Sequence, residues 1–317
     1  MRILDLRFFA SDIQGVYKAM YWEASKSDCR QLSAELLFQY HKLEKGLSMP
    51  SPRRFFGADP AKATMRLLDL WRTKGFSTVD PVYIGAIESL VAYRARLISE
   101  GYPQGKNIVP VLDQALSAHS ARSGDLTTPR RYADILQISK RTSGSFEGLA
   151  MQRRSVRDFS DRAVPLSTIE RAVELAMLSP SACNRQPCKV YVASEQERKA
   201  RLLRYQNGNR GFGHTAAHVL VVTADQACFF GATERHEPYV DGGLFAMSLI
   251  LGLQDQGVSS CCLNWCVTPS VCNAVHSEFG ITQTERIIML IAVGYASKGC
   301  LVPRSPRREL SEVLRKI

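Results

Sequence analysis

Residues 179–192 read SPSACNRQPCKVYV, a change of backbone structure compressed into one short stretch. Upstream of it, Ile169, Ala172, Val173 and Ala176 recur on one face of a helix. The preceding STIE at 167–170 has capping-box spacing, in which Ser167 accepts from a backbone N–H three residues on and Glu170 reaches back. Downstream, KVYVAS at 189–194 is rich in β-branched residues and reads as a strand. Proline disfavours helical geometry in the residue before it, so the helix is expected to end near Ser179-Pro180. The connection then sets Asn184 and Gln186 two apart between Pro180 and Pro187. Amide donors and acceptors are thereby carried on a loop stiffened at both ends.

The same alternation continues outward. HVLVVTAD at 218–225, GVSSCCLNW at 257–265 and RIIMLIAVGYA at 286–296 read as further strands, and Gly242 to Leu253 as an apolar helix. Strands alternating with helices indicate an α/β or α+β domain. Before residue 145 the pattern is different. Leu32, Leu36, Tyr40 and Leu43 recur at helical spacing, as do Met65, Leu68 and Trp71. Ile84, Ile87, Val91 and Ile98 extend the series, followed by Ile108, Val111, Leu112 and Ala115. The polar run SKRTSGSFEG, 139–148, marks the boundary between a mainly helical region, 1–144, and a second domain, 145–317.

Bulk properties narrow the classes. A chain of 317 residues with 45% hydrophobic and 22% charged residues can bury a sizeable core. The longest apolar run, Gly242 to Leu253, is too short to span a bilayer, and the first residues lack the apolar region of a secretory signal. A cytoplasmic location is expected. The nine cysteines form no disulfide framework, and Cys262-x3-Cys266-x5-Cys272 lacks the paired spacing of structural zinc, so no metal is expected. The net charge of +11 divides into +7 over 1–144 and +4 over 145–317, with no basic stripe interleaved with aromatics. Nucleic-acid binding thus rests on charge alone and is not expected.

Two arginine clusters carry chemistry. In QRRSVRDF, 152–159, an extended backbone would turn Arg153, Ser155 and Arg157 to one side, a set suited to a phosphate or a delocalised anion. A solvated basic linker fits the stretch equally well. VPRSPRREL, 302–310, sets Arg304, Arg307 and Arg308 among prolines, as a charged surface tail also would.

In this order, RRSVRDF, SPSACNRQP, DGGLFAMSLILGLQDQGVSSCCLNW, a strand ending AVGYAS and the late arginines resemble the nitroreductase family of FMN-dependent oxidoreductases over residues 145–317. The resemblance implies an α+β, nitroreductase-like fold, with a central mixed sheet flanked by helices, preceded here by a mainly α-helical N-terminal domain. It implies a homodimer with FMN at the subunit interface, NADH or NADPH as electron donor, and a small electron-poor acceptor served in alternating half-reactions. Arg153, Ser155 and Arg157 would contact the phosphate and ring edge, with Arg154 beside them. Pro180, Ser181, Asn184 and Gln186 would line the flavin pocket, and Leu263 and Asn264 would run beneath the ring. Arg307 fits the late phosphate-binding arginine better than Arg304, because RREL matches the helix entry; Arg210, in YQNGNRGFG, is a candidate ring contact. No obligatory acid or base is named.

Two departures stand out. Cys188 occupies a position where the family often has tryptophan, and is expected to pack rather than react. The N-terminal extension contains HKLEKGLSMPSPRRFFG, 41–57, resembling an extension of nitroreductase-like proteins encoded near polysaccharide-synthesis genes. Its HKLEKG reads as a helix end, with Lys42 and Lys45 in the last turn and Gly46 as a left-handed cap. Alternatively, His41, Glu44, Arg53 and Arg54 bind a partner or ligand. The competing functional class is a flavin-binding accessory protein without turnover, supporting surface-polysaccharide production.

Overall fold

The computed structural model describes residues 9–10, 12–14, 23–50, 55–101, 108–119, 129–138 and 145–317. Arg53, Arg54 and most of the expected boundary at 139–148 lie outside these residues. The chain forms two compact units, one of Asp12–Arg130 with Val302–Ile317, the other of Met1–Ser11 with Arg131–Leu301. Between the helical region and the second domain the division falls at 130/131, where the sequence suggested 144/145. The last residues fold with the helical unit.

In the helical unit, the spaced leucines and aromatics form the expected helices α1 (Cys29–Leu47), α2 (Ala58–Thr73), α3 (Pro81–Ser99) and α4 (Ile108–Ala118). Asp28 caps α1 reciprocally with Gln31, at 2.7 and 3.0 Å. Leu32, Leu36, Tyr40, Leu43, Leu68 and Trp71 are buried in one core. The buried face of α3 differs from the one expected. It is built on Tyr83, Ala86, Ile87, Leu90, Tyr93 and Leu97, three and four positions apart, so that Ile84 is only half-buried and Ile98 is exposed, as is Val111 of α4. Gly46 is also not a left-handed cap. The helix continues to Leu47 and ends at Ser48, and a Cβ on Gly46 would lie 2.2 Å from the Phe56 ring, so close packing requires the glycine.

The C-terminal segment is tied into this unit by two buried carboxylates. Arg304 pairs with Glu88 of α3, and the Ser305 N–H donates to Glu44 of α1 at 3.2 Å. Pro306 covers Gly85, where a Cβ would meet its ring at 2.7 Å. Ser305 adopts φ 49°, a left-handed geometry that these contacts hold. Beyond it, the short helix Leu310–Val313 is entered through Arg308, which pairs with Glu312 at 2.9 Å.

The other unit alternates α5 (Tyr132–Ile138), α6 (Phe146–Gln152), α7 (Leu166–Ala176), β1 (Cys188–Ala193), α8 (Gln196–Arg204), β2 (His218–Asp225), α9 (Glu237–Asp255), β3 (Ser259–Asn264), α10 (Pro269–Phe279) and β4 (Glu285–Gly294). All strands read from the sequence are present. The sheet order is β1-β2-β4-β3, and each neighbouring pair is antiparallel. The expected mixed sheet is antiparallel in all its strand pairs, and one isolated parallel bridge, Ser155↔Ser260, lies outside them at the β3 edge. Helices α7 and α9 cover one face, with Ala172, Phe245, Leu249 and Leu253 packed on Leu220, Ile291 and Val293. The capping box at Ser167 does not form. The helix begins at Leu166 after Pro165, whose extended backbone already turns the chain, and Ser167 falls inside the first turn. The architecture is α+β.

Glu285 opens β4 and is fully buried. It accepts from Lys189 Nζ at 2.8 Å, Tyr191 Oη at 2.9 Å and Thr223 Oγ1 at 2.6 Å, which joins the first three strands of the order at one end of the sheet. Burial raises its carboxyl pKa, but these three donors outweigh burial and hold it below the usual glutamate range. Among the described residues no helix is long and apolar enough to cross a membrane, and all nine cysteines are free thiols.

Candidate functional site

The loop after α7 is held in an unusual backbone. Cys183, Asn184 and Gln186 all adopt positive φ, at 52°, 55° and 49°. Such geometry costs a non-glycine residue about 1–2 kcal/mol, less for asparagine, and persists only where surroundings impose it. The imposing groups are polar and come largely from elsewhere in the chain. The Ala182 N–H donates to both oxygens of buried Asp241, each at 3.2 Å. The Gln186 N–H donates to Ser181 Oγ at 3.0 Å. Arg185 forms a two-armed pair with Glu234, at 2.6 and 3.2 Å, and stacks on Phe229 and Phe230. The Asn184 and Gln186 side chains touch each other at 3.3 Å and remain at the surface. Pro180, Ser181 and Gln186 line a cavity of about 170 Å³ with Cys188, Asp241 and Phe245. Burial pushes the Cys188 thiol up to about 12, with Asp241 adding to the effect.

The RRSVRDF segment lies at the β3 edge, where the Val156 N–H donates to Ser260 O at 3.1 Å. Val156 is fully buried and Ser155 half-buried. Arg157 is 8% exposed, and its side chain donates to Ser155 O at 3.3 Å. No salt bridge among the described residues involves Arg153 or Arg157. A buried guanidinium with no carboxylate is costly unless an anion is supplied. Desolvation raises the Cys262 thiol to about 11, while the charge of nearby Arg153 pulls it down. Along β3, Cys262 and Asn264 point away from the core and Leu263 points into it, 3% exposed, so only its backbone can face a ligand there. Cys262, Asn264 and Trp265 line a cavity of about 500 Å³ with Tyr239 and Met289. Trp265 Nε1 is buried with no hydrogen-bond partner. Arg154 donates to Met151 O and Arg153 O.

These two groups of residues do not meet within one sheet. The loop precedes β1 and the RRSVRDF segment borders β3, on opposite edges of the order β1-β2-β4-β3. Three inter-strand steps separate β1 from β3, roughly 14 Å, and the RRSVRDF segment lies beyond β3. Asn264 and the loop are nonetheless at the same end, since Asn264 and Val222 each pair with Met289, and Val222 pairs with Val190 beside the loop, whereas Ser155 bridges Ser260, which pairs with Val293 toward the other end. The two cavities flank the start of α9, at Tyr239 and Asp241. Arg210 lies on the exposed turn after α8, and Arg307 belongs to the helical unit, exposed, donating to Ser305 O at 2.5 Å.

Residues 150–206 and 196–295 match the Nitroreductase family. The chain carries a nitroreductase-family domain. Its nitroreductase domain is 26% identical over 190 residues to an iodotyrosine deiodinase of Haliscomenobacter hydrossis, covering 51% of this chain and 84% of that protein. An iodotyrosine deiodinase of Drosophila melanogaster is 27% identical over 195 residues, 51% and 66% of the two chains. Among solved structures, a nitroreductase in complex with FMN from Exiguobacterium sibiricum superposes with TM-score 0.50 at 18% identity, over 55% of this chain and 98% of that one. An NAD(P)H:FMN oxidoreductase structure from Staphylococcus epidermidis gives TM-score 0.50 at 16% identity, over 55% and 96%. At such identities the structures establish the fold of the nitroreductase domain.

Asp241, Arg185, Glu234 and Trp265 were not singled out from the sequence. Asp241 alone left a trace there, as a carboxylate set four and seven positions before Phe245 and Ser248 at the head of an apolar helix.

Proposed function

We propose that the chain is an FMN-dependent oxidoreductase whose flavin lies between two copies, reduced by NADH or NADPH and reoxidised by a small electron-poor acceptor. The observation that carries this reading is Arg157, a buried guanidinium with no carboxylate partner among the described residues, in the segment bridged to β3, whose outward-facing Cys262 and Asn264 line a cavity of flavin-compatible size with Trp265. These groups fit an anionic, hydrogen-bonding aromatic cofactor. Arg153, Arg154, Ser155 and Arg157 would hold its phosphate and ring edge. Asn264 and the Leu263 backbone would lie against the ring, and Arg157 would offset negative charge on the reduced form. When bound, FMN supplies the capacity to accept hydride and release electrons singly or in pairs.

Pro180, Ser181, Asn184 and Gln186 would complete the site from the partner copy, because their own sheet edge is roughly 14 Å from β3. Val240, Leu244 and Met247 support the pairing: they recur at helical spacing along α9 and are 45–52% exposed. Arg307 stays assigned to a flavin phosphate by resemblance. The deiodinase relatives add reductive removal of halide from an aromatic substrate as a second reading of the acceptor half-reaction.

The test is the absorption spectrum of the purified protein, followed by FMN titration of Arg157→Ala and Arg153→Ala. An oxidised-flavin band with about one FMN per chain, weakened retention in both variants, and anaerobic bleaching by NADH or NADPH are expected. Reoxidation by a nitroaromatic and by 3-iodotyrosine, compared side by side, separates the two acceptor readings. Wild-type affinity for FMN in both variants would refute the assignment of the arginines. A flavin that no nicotinamide donor bleaches would favour the accessory reading.

A further inference from the structure

Helix α8 presents two kinds of basic residue on two faces. Arg201 is neutralised: its Nε donates to Glu278 at 2.6 Å, and the Tyr205 hydroxyl donates to the same carboxylate at 2.6 Å. The opposite face, built from Gln196, Lys199, Ala200, Leu203 and Arg204 at helical spacing, forms no salt bridge among the described residues and walls a groove, with Arg204 at its edge close enough to Glu278 to act on that carboxylate. Two cavities merge along it, of about 530 and 320 Å³, sharing Gln196, Lys199 and His214. Arg162, Lys199, Arg204, Arg210 and His214 line them, and Asp161, at the far end, is the one carboxylate among the lining residues. No salt bridge among the described residues neutralises Arg162, Lys199, Arg204 or Arg210. Lys199 is buried, and its ammonium donates to Ala216 O at 2.6 Å and Ala217 O at 3.2 Å, which leaves one of its three donors unspent.

The groove has a direction. At the α8 C-terminus it reaches Gln206, whose amide donates to Asn264 O at 3.0 Å and Asn264 Oδ1 at 3.2 Å. Asn264 is the residue on which the flavin ring is placed above. The turn between is firm. Asn209 Nδ2 donates to Leu203 O at 2.8 Å, and Gly211 adopts φ 90°, which a side chain would oppose. A ligand lying here must therefore be long, carry several negative charges along its middle, and end in a group that belongs at the flavin.

We infer that the groove along α8 docks the phosphates of a nicotinamide dinucleotide and sets its nicotinamide end at Asn264. This rests on the flavin reading above and assigns to it a donor site. Arg204 and Arg210 would take the pyrophosphate, where two guanidinium forks match paired phosphate oxygens.

The probe is ADP-ribose, which keeps the pyrophosphate and lacks the nicotinamide. Calorimetric titration into the full chain is expected to show binding that the double variant Arg204→Gln/Arg210→Gln weakens at least tenfold. Arg201→Gln, on the neutralised face, is expected to bind within twofold of wild type and controls for net charge. In stopped-flow reduction of the bound flavin, the same double variant is expected to raise the apparent Kd for NADPH or NADH at least tenfold. Equal ADP-ribose affinity in wild type and the double variant, or no binding to wild type, would overturn the inference. A chain that neither holds nor takes up FMN would instead overturn the flavin reading, and the ADP-ribose titration would still decide the groove.

Discussion

Replacing Asp241 by alanine should loosen one loop and leave the sheet intact. Asp241 is 3% exposed and accepts the Ala182 N–H on both oxygens, and no salt bridge among the described residues involves it. Its removal therefore strands no buried cation. What is lost is a hydrogen bond to a charged acceptor, about 1.5–3 kcal/mol. That amount is comparable to the roughly 1–2 kcal/mol by which a single non-glycine residue resists left-handed geometry, and the loop holds three such residues. A loss of about 2 kcal/mol multiplies a local opening equilibrium about thirtyfold. Amide hydrogen exchange reads this directly. Protection of the Ala182 and Gln186 amides should fall about thirtyfold in Asp241→Ala, and less in Asp241→Asn, which keeps an acceptor. The amides of Val219 to Val222 in β2 should be unchanged. Unaltered protection at Ala182 and Gln186, or an equal loss across β2, would refute the claim that Asp241 imposes the loop conformation.

Three further outcomes follow from groups already described. The Glu285 carboxyl has a folded pKa below its unfolded value, so its contribution is present above about pH 4.5 and lost as pH falls through the folded value; Glu285→Gln should flatten the acid limb of urea midpoints measured against pH. Gly46→Ala should cost about 1–3 kcal/mol, because the new Cβ meets the Phe56 ring at 2.2 Å, and a calorimetric scan should show the midpoint falling by several degrees. Cys188, with its thiol pushed up to about 12, should resist iodoacetamide at pH 8 while exposed Cys183 and Cys266 react, as peptide mass mapping would show.

The elements that could be read in the sequence are those whose pattern is local. HVLVVTAD became β2 residue for residue, and the apolar face beginning at Ile169 became α7, because burial on one side imposes a period that neighbouring residues share. The candidate site was legible as a pair of motifs and not as a mechanism of support. Asn184 and Gln186 stand where the prolines suggested, yet Asp241 and Glu234, some fifty residues away, hold the loop. Proline restricts φ near −65°; it cannot impose the positive φ found at Cys183, Asn184 and Gln186. The same distance problem hid the fate of Arg304. A proline-flanked arginine looks like a surface tail until Glu88, 216 positions earlier, is brought against it by folding. Gly46 was misread because a glycine near a helix end satisfies two demands equally well in sequence, a left-handed cap or a close approach, and only the Phe56 ring distinguishes them.

The division of the chain has a consequence for the order in which the protein can be made. Helices α1 to α4 are synthesised before the nitroreductase domain, but the segment that neutralises Glu88 and contacts Glu44 is synthesised after it. At ribosomal speeds the interval between Arg130 and Ile317 is on the order of ten to forty seconds. Throughout that time the first unit carries interior Glu88 without Arg304 and Glu44 without the Ser305 N–H, although His41, 3.5 Å from Glu44, is already in place. A nascent chain halted just before Val302 would present a complete nitroreductase-family domain and an incomplete helical unit, so removing residues 302–317 would be felt in helices made long before them.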